Sequence, residues 1–378
     1  MSRRAATALA AVALVFLSLC FVRGHTRDDS LSADEPVHIL SGWFEVFGRN
    51  AIVNIEHPPV AKMLAGLALG TLRLPPPPAA VPAGTRFVDF GHAFLFENRV
   101  SPDAIASAAR APFLGVLALL LLLVFGAAAS RYGPAAGLFA LALLAFDPNF
   151  VAHAGVVHTD VPAAVAFLAT VLAWESARRR PTPLRVLASG VVLGLALATK
   201  FSAILLVPIL LLQSLLAARR DASPGRAALS AILRLGAAGA VALVTVLAIY
   251  APLTARMDPE YQRSVIHEMV AGRGAPRLSA AIESLAGVSR PLAHYFGGLA
   301  SVVRQNAIGG GVNYLWGKVS VHGFPSYFFV AFLFKSTLAF LAVTAIVIVS
   351  SLRRRSDFHE ERRLFLLPVA VLFLASIG

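Results

Sequence analysis

Long apolar runs separated by short charged stretches dominate the hydropathy pattern of this chain. Nine runs are long enough, or nearly long enough, to cross a lipid bilayer. Backbone groups cannot stay unpaired in lipid, and the runs lack the alternation of barrel strands, so we predict that they are helices. The predicted spans cover residues 5–22, 110–129, 134–152, 161–177, 184–199, 201–218, 227–253, 326–351 and 364–378.

Composition agrees with this pattern. Hydrophobic residues make up 57% of the 378 positions and charged residues 14%, and the mean hydropathy is +0.74. A soluble domain carries about 25% charged residues. The sequence therefore predicts an all-α, polytopic membrane protein in which residues 1–378 form one transmembrane domain.

The net charge of +13 is concentrated in the connections that alternate topology places inside. With Arg3 and Arg4 in the cytoplasm, the inner connections contain fifteen arginines and four acidic residues. This is the positive-inside bias, so the charge needs no nucleic acid partner to explain it. We predict a cytoplasmic N-terminus. The preference for arginine over lysine, with abundant alanine, suggests a GC-rich bacterial genome, so the expected location is a bacterial cytoplasmic (inner) membrane.

The first apolar run has two interpretations. Arg3 and Arg4 before an apolar stretch fit a cleaved signal peptide, but no small-x-small cleavage site follows, which favours an uncleaved anchor. The last run stops at Gly378 without a polar cap, so we expect further chain to follow. Cys20 is the only cysteine, which excludes an intrachain disulfide.

Two connections are far longer than a turn, and the topology places both outside. They span residues 23–109 and 254–325. Connections of this length are usually functional or disordered, and their apolar patches predict short amphipathic helices along the membrane surface. No internal repeat supports an inverted-repeat transporter. We therefore look for function on the outer face.

The first long connection opens with an acidic pair, Asp34 and Glu35, followed by His38. One interpretation is a helix start, with Asp34 near the cap and Pro36 in the first turn. The other is a general base just above the membrane, with Glu35 positioning or tuning Asp34. Spacing alone favours the helix start.

A second group combines Glu56, His57 and Lys62 at the start of an apolar stretch. Cationic donors bind phosphate strongly, so protonated His57 and Lys62 can hold a phosphate at the headgroup level. Alternatively, His57 caps a helix and Lys62 snorkels to the interface.

The short outer connection before the fourth span contains His158 and Asp160. Asp160 either caps the next helix or binds substrate. His38 and His158 are a weak candidate pair for a divalent metal, because the sequence fixes no complete ligand set.

Two basic residues lie at unusual depths. Lys335 is about ten residues into the run 326–351, and an ionisable group there usually faces a cavity or a bundle interior. Arg110 begins the second span on the outer side, where it can meet a lipid phosphate or a bound one.

Taken together, these stretches resemble the polyprenyl-phosphate-dependent glycosyltransferases of the GT-C membrane fold. More narrowly, they are similar to the bacterial relatives of protein O-mannosyltransferases (glycosyltransferase family 39), which are related to the aminoarabinose transferases of lipid A. The matching stretches are Asp34-Glu35, EHPPVAK at 56–62, ARAP at 109–112, DPNFVAHAGVVHTDVPAA at 147–164, GLALATKFSAILLVP at 194–208 and YLWGKVSVHGFPSYFFVAFLFKSTLAF at 314–340. Lys318 departs from the pattern, because many relatives have an acidic residue there.

The resemblance implies transfer of a sugar from a polyprenyl-phosphate donor to a protein, glycan or lipid acceptor on the extracytoplasmic side. It implies an inverting mechanism with Asp34 as base and Glu35 as its support. His57, Lys62, Arg110 and Lys335 would hold the donor phosphate, and Glu56, His158 and Asp160 would bind substrate. No cofactor is required, although a divalent metal remains open. The alternative function is a flippase or transporter of a lipid-linked sugar.

Overall fold

The structure is a computed structural model that describes residues 2–78, 86–308, 311–353, 360 and 362–377. Within these ranges the chain is all-α except for one small hairpin. The helices are α1 Arg3–Arg27, α2 Glu35–Trp43, α3 Pro59–Leu69, α4 Phe87–Phe96, α5 Pro102–Tyr132, α6 Pro134–Ala145, α7 Pro148–Ala154, α8 Asp160–Arg179, α9 Pro183–Leu197, α10 Leu206–Ala218, α11 Pro224–Thr254, α12 Pro259–Val270, α13 Pro276–Leu285, α14 Arg290–Ile308, α15 Tyr327–Lys335, α16 Leu338–Arg353 and α17 Leu367–Ile377. A π-helical turn at Phe44–Gly48 extends α2, a 3₁₀ turn at Phe201–Leu205 precedes α10, and a π-helical turn at Arg362–Leu366 precedes α17.

The fold of a polytopic membrane protein is confirmed, but not every predicted span is one continuous helix. Among the described residues, α1, α5, α8, Phe201–Ala218 and α11 are long and apolar enough to cross a membrane. Two bent pairs raise the number to seven if each pair is one span. Helix α9 is apolar but shorter. So is the helical stretch Arg363–Leu372, which runs from the π-helical turn into α17.

The predicted spans 134–152 and 326–351 are each divided into two helices. Helices α6 and α7 meet at 67°, and α15 and α16 meet at 118°. Asp147 accepts a bond from Phe150 N at 3.0 Å and starts a new helix before Pro148. Thr337 likewise accepts a bond from Phe340 N, at 3.2 Å, at the start of α16. Such side chains compete with the helical backbone and favour a helix start.

The two long connections lie at the same end of the bundle, where Glu56 of the first pairs with Arg273 of the second. We call this end the loop end. Arg110 near the start of α5 donates to Thr26 O at 2.7 Å, near the end of α1. Lys200, before α10, pairs with Asp160 at the start of α8. We call the opposite end of the bundle the arginine end, because it contains Arg131, Arg178, Arg179, Arg219 and Arg220. There the Arg131 guanidinium lies over the Phe365 ring, 5.4 Å from the ring centroid.

Both long connections contain the predicted short helices. The first contains α2 to α4, which form a core with α5 around Ile39, Phe44, Leu95 and Phe113. Helices α2 and α3 cross closely: a Cβ at Gly66 would lie 2.0 Å from Gly42 O. The second contains α12 to α14.

A β-hairpin in the second connection was not predicted. Strands β1 (Asn313–Leu315) and β2 (Lys318–Ser320) pair in antiparallel register. Trp316 and Gly317 between them have φ of 48° and 77°. Two consecutive positive φ values are typical of the type I′ turn that joins hairpin strands.

Candidate functional site

Asp34 lies at the N-cap position of α2 with an exposed side chain. Its side chain makes no capping bond to the helix, and no hydrogen bond or ion pair joins its carboxylate to any other residue in the part of the chain that the structure describes. The backbone carbonyl alone accepts a bond, from His38 N at 3.1 Å. The carboxylate is therefore free to accept a proton or a hydrogen bond from a ligand.

Glu35 is fully buried and has a different environment. It receives a bidentate bond from Arg110, at 2.8 and 2.7 Å, and backbone bonds from Val157 at 2.9 Å and Ser32 at 2.8 Å. Burial opposes ionisation of Glu35, but these bonds outweigh it and hold its pKa below its ordinary value. Glu35 thus joins the start of α2 to α5 and to the connection before α8.

Arg110 is only 4% exposed and uses its whole guanidinium within the protein. Besides Glu35, it donates to the carbonyls of Thr26 at 2.7 Å, Asp29 at 3.2 Å and Ser30 at 3.1 Å. A guanidinium has five N–H donors, and these five bonds occupy all of them. The structure therefore shows Arg110 as an anchor for the end of α1, with no donor left for the predicted phosphate contact.

His38 and His57 face each other across α2 and the turn before α3. Their rings meet edge to face with centroids 4.9 Å apart. Asn54, in the left-handed conformation with φ of 56°, places its side-chain nitrogen 3.4 Å from His38 Nδ1. Burial, followed by neighbouring charges, lowers the pKa of His38 to about 3 and that of His57 to about 4. Both rings are neutral at neutral pH, so His57 in the free protein offers an N–H donor and no charge.

The connection before α8 approaches the same histidines. Asp160 N donates to His158 Nδ1 at 2.9 Å, which leaves the proton on Nε2, a buried atom with no partner among the described residues. Asp160 pairs with Lys200. Asp160 influences the pKa of both His38 and His57. We call these five residues the polar cluster: His38, His57, His158, Asp160 and Lys200.

Lys62 does not snorkel to a surface. It is 2% exposed, and its ammonium lies 2.8 Å from Glu45 Oε1 and 3.0 Å from Asn54 O. Ser41 bonds both Glu45 at 3.3 Å and Val53 O at 2.7 Å. Burial raises the pKa of Glu45 to about 7 and lowers the pKa of Lys62, against the attraction between them. The pair fixes the turn that contains Asn54 and His57.

Glu56 is half-buried and forms an ion pair with Arg273, which follows α12. Arg273 also donates to Ser301 O at 3.0 Å. Glu56 therefore joins the first long connection to the second, beside the polar cluster. Its predicted contact with substrate stays a prediction.

Lys335 is the last residue of α15 and lies at the bend before α16. The apolar run that contains Lys335 is broken at this point, and the predicted depth of the lysine in the membrane stays a prediction. Its side chain is exposed and has no hydrogen bond or ion pair with any other described residue. The structure does not join Lys335 to the polar cluster, so its phosphate contact also stays a prediction.

Metal ligands were a minor prediction. Within the described ranges, no group of three or more His, Cys, Asp or Glu side chains is placed to hold a metal ion. His38 and His158 lie in the polar cluster together with the cation Lys200, and a metal bound by the two histidines stays a prediction.

Sequence reasoning missed two residues of this region. Lys200 was not among the predicted site residues, although it is one of only four lysines and stands between two predicted spans at the outer end. Glu45 was not singled out, although an acidic residue in the run GWFEVFG is unusual and calls for a buried partner.

Comparison with known proteins supports the class of enzyme. Residues 104–251 match the sequence model of a family described as dolichyl-phosphate-mannose-protein mannosyltransferase. This region includes Arg110, His158, Asp160 and Lys200. Searches of curated proteins and of solved structures give no match. The chain is an all-α, polytopic membrane protein of GT-C-like architecture, and the family match supports a membrane glycosyltransferase of the GT-C type.

Proposed function

We propose that this protein transfers a sugar from a polyprenyl-phosphate donor to an acceptor hydroxyl or phosphate, with Asp34 as the general base. The sugar is a mannose-like hexose or a modified pentose. The observation that carries the proposal is the contrast between two adjacent carboxylates. Glu35 is buried and held by Arg110, whereas Asp34 is exposed and unpaired among the described residues.

The chemistry needs little beyond a base and a site for the leaving phosphate. The acceptor oxygen bonds to the anomeric carbon as the bond from that carbon to the donor phosphate oxygen breaks. The acceptor proton goes to the Asp34 carboxylate, and the electron pair leaves on the polyprenyl phosphate. A single displacement of this kind inverts the anomeric centre.

Donors near the polar cluster suit the leaving phosphate. Lys200 is one-third exposed and its charge partner Asp160 is exposed, so the lysine can approach a phosphate without leaving the pair. His57 supplies a neutral N–H, and a phosphate beside it raises the pKa of the ring and favours its protonation. Lys62 contributes positive potential from behind the His57 turn, and Lys335 remains a candidate from α15.

Asp160, His158 and Glu56 would orient donor and acceptor. We place the loop end on the extracytoplasmic side of a bacterial inner membrane, because the opposite end has the arginine excess that the positive-inside rule assigns to the cytoplasm. No metal takes part in this proposal.

Reconstituted vesicles test the proposal directly. A labelled polyprenyl-phosphate sugar is supplied with candidate acceptors, and the released polyprenyl phosphate and the labelled acceptor are both measured. If transfer occurs, the two products form in equal amounts. Movement of intact donor between leaflets, with no release of polyprenyl phosphate, would support the flippase instead. Protein that does neither with hexose or pentose donors would overturn the proposal.

A further inference from the structure

A cavity of about 700 Å³ lies at the arginine end, far from Asp34. One part of its wall is apolar and comes from the end of α10, the π-helical turn before α17 and the start of α17. The rest comes from charged side chains. The lining residues are Leu216, Ala217, Leu366, Leu367 and Ala370, together with Arg178, Arg219, Arg220, Glu360 and Arg363.

The cations of this cavity exceed the anions. Arg178 and Arg363 share Glu175, at 2.7 and 3.3 Å, and Glu360 pairs with Arg179. Arg219 and Arg220 are exposed, and their guanidinium groups have no hydrogen bond or ion pair with another residue in the part of the chain that the structure describes.

The wall is held in place from several sides. Gln213 of α10 donates to the carbonyls of Arg363 at 3.0 Å and Leu364 at 3.3 Å. Arg131 of α5 covers the Phe365 ring. Arg363 Nε is buried without a partner among the described residues. A buried donor without an acceptor is costly, and here it lies beside an open cavity.

We infer that this cavity binds an anionic phospholipid of the surrounding leaflet, with the headgroup phosphate at Arg219 and Arg220 and an acyl chain along Leu216 and Leu367. The apolar wall is what favours a lipid over a free phosphate ion, because inorganic phosphate gains nothing from it. Basic pockets between transmembrane helices on the cytoplasmic side are known to take anionic headgroups. The site is independent of the proposed sugar transfer.

Binding is tested on the purified full chain by native mass spectrometry, with phosphatidylglycerol or phosphatidylcholine added in detergent. We expect retained phosphatidylglycerol and little phosphatidylcholine. Each of Arg219→Gln and Arg220→Gln should weaken phosphatidylglycerol binding about fivefold, the effect of about one charge near an anionic headgroup. The matched control is Arg180→Gln/Arg226→Gln, which removes two exposed arginines of the same end that do not line the cavity.

Leu216→Trp is a second variant that fills the apolar part and keeps every charge, so it decides the matter if the arginine variants do not fold. It should also reduce retained lipid. Equal weakening by the control pair would show diffuse attraction and overturn the inference. So would equal retention of the two lipids, unchanged binding in Leu216→Trp, or complete displacement of the lipid by inorganic phosphate.

Discussion

Lys62 Nζ lies 2.8 Å from Glu45 Oε1, and both side chains are almost completely buried between α2 and α3. Removing one partner of such a pair leaves a buried charge alone, which typically destabilises a protein by roughly 3–5 kcal/mol. Replacing both partners by apolar residues of similar volume is often nearly neutral.

We therefore expect Glu45→Leu to lower the free energy of unfolding by roughly 3–5 kcal/mol and Glu45→Leu/Lys62→Met to restore most of it. Unfolding in detergent, followed by tryptophan fluorescence, measures both. Asp89→Asn is the control, because its pair with Arg86 is exposed and such pairs contribute about 0–1 kcal/mol. A double variant as unstable as the single one would contradict this account.

Glu35→Gln tests the junction of α2, α5 and the connection before α8. The variant keeps the shape but removes the charge that Arg110 needs, so we expect a loss of stability of roughly 3–5 kcal/mol and weaker donor binding through displacement of Val157 and Asp160. Donor KM and thermal unfolding are measured together. Glu97→Gln, an exposed carboxylate after α4, should change neither, and a stable, fully active Glu35→Gln would refute the anchoring role.

Asp34→Asn tests the general base. Asparagine and aspartate cap helices about equally well, but asparagine cannot take up the acceptor proton. We expect normal folding and donor binding with turnover reduced roughly 10²–10⁴-fold.

Asp28→Asn is the matched control, because Asp28 is exposed just after α1 and should keep full turnover. If Asp34→Asn retains more than about a tenth of wild-type turnover, the loss is below the usual general-base range and Asp34 is not the base.

Lys200→Met tests the phosphate contact at the polar cluster. A hydrogen bond to a charged group contributes about 1.5–3 kcal/mol, so the donor KM should rise roughly 10–100-fold while the protein stays folded. Lys318→Met, in the exposed strand β2, should leave the donor KM unchanged. If Lys200→Met raises the donor KM no more than Lys318→Met does, Lys200 is not part of the site.

Lys335→Met applies the same measurement to the bend between α15 and α16. If Lys335 reaches the donor phosphate, the donor KM rises as for Lys200. An unchanged donor KM would remove Lys335 from the donor site and leave it as an exposed lysine at the end of α15.

Acid should destabilise the protein through its buried histidines. The pKa of His57 falls from 6.5 to about 4 on folding, so its stabilising contribution is complete above the unfolded pKa and is lost as pH falls toward the folded one. At about pH 5 the loss is on the order of 2 kcal/mol for His57. Melting temperature measured between about pH 7 and pH 5 should fall, and His57→Gln should flatten that slope. An equally steep slope in the variant would show that other groups cause it.

Much of the architecture could be predicted from local sequence. Bilayer length and hydropathy determine where helices form, so nearly all predicted spans correspond to helices. Short-range signals that a hydropathy average hides determine the other features, namely the helix breaks at Asp147 and Ser336 and the hairpin turn at Trp316-Gly317. The turn had a readable sequence signal, because glycine tolerates the positive φ that it requires.

The candidate site depends more on tertiary structure than the helices do. The sequence by itself determined that acidic and basic side chains collect in the outer connections, that Asp34 stands at a helix start, and that arginines gather at the opposite end. Only the tertiary structure decided which charges neutralise each other. Three ion pairs depend on how the helices and connections pack: Glu35 with Arg110, Glu45 with Lys62 and Asp160 with Lys200. Sequence distance does not reveal that packing, and charge interactions weaken with spatial distance and are screened over about 10 Å at exposed sites.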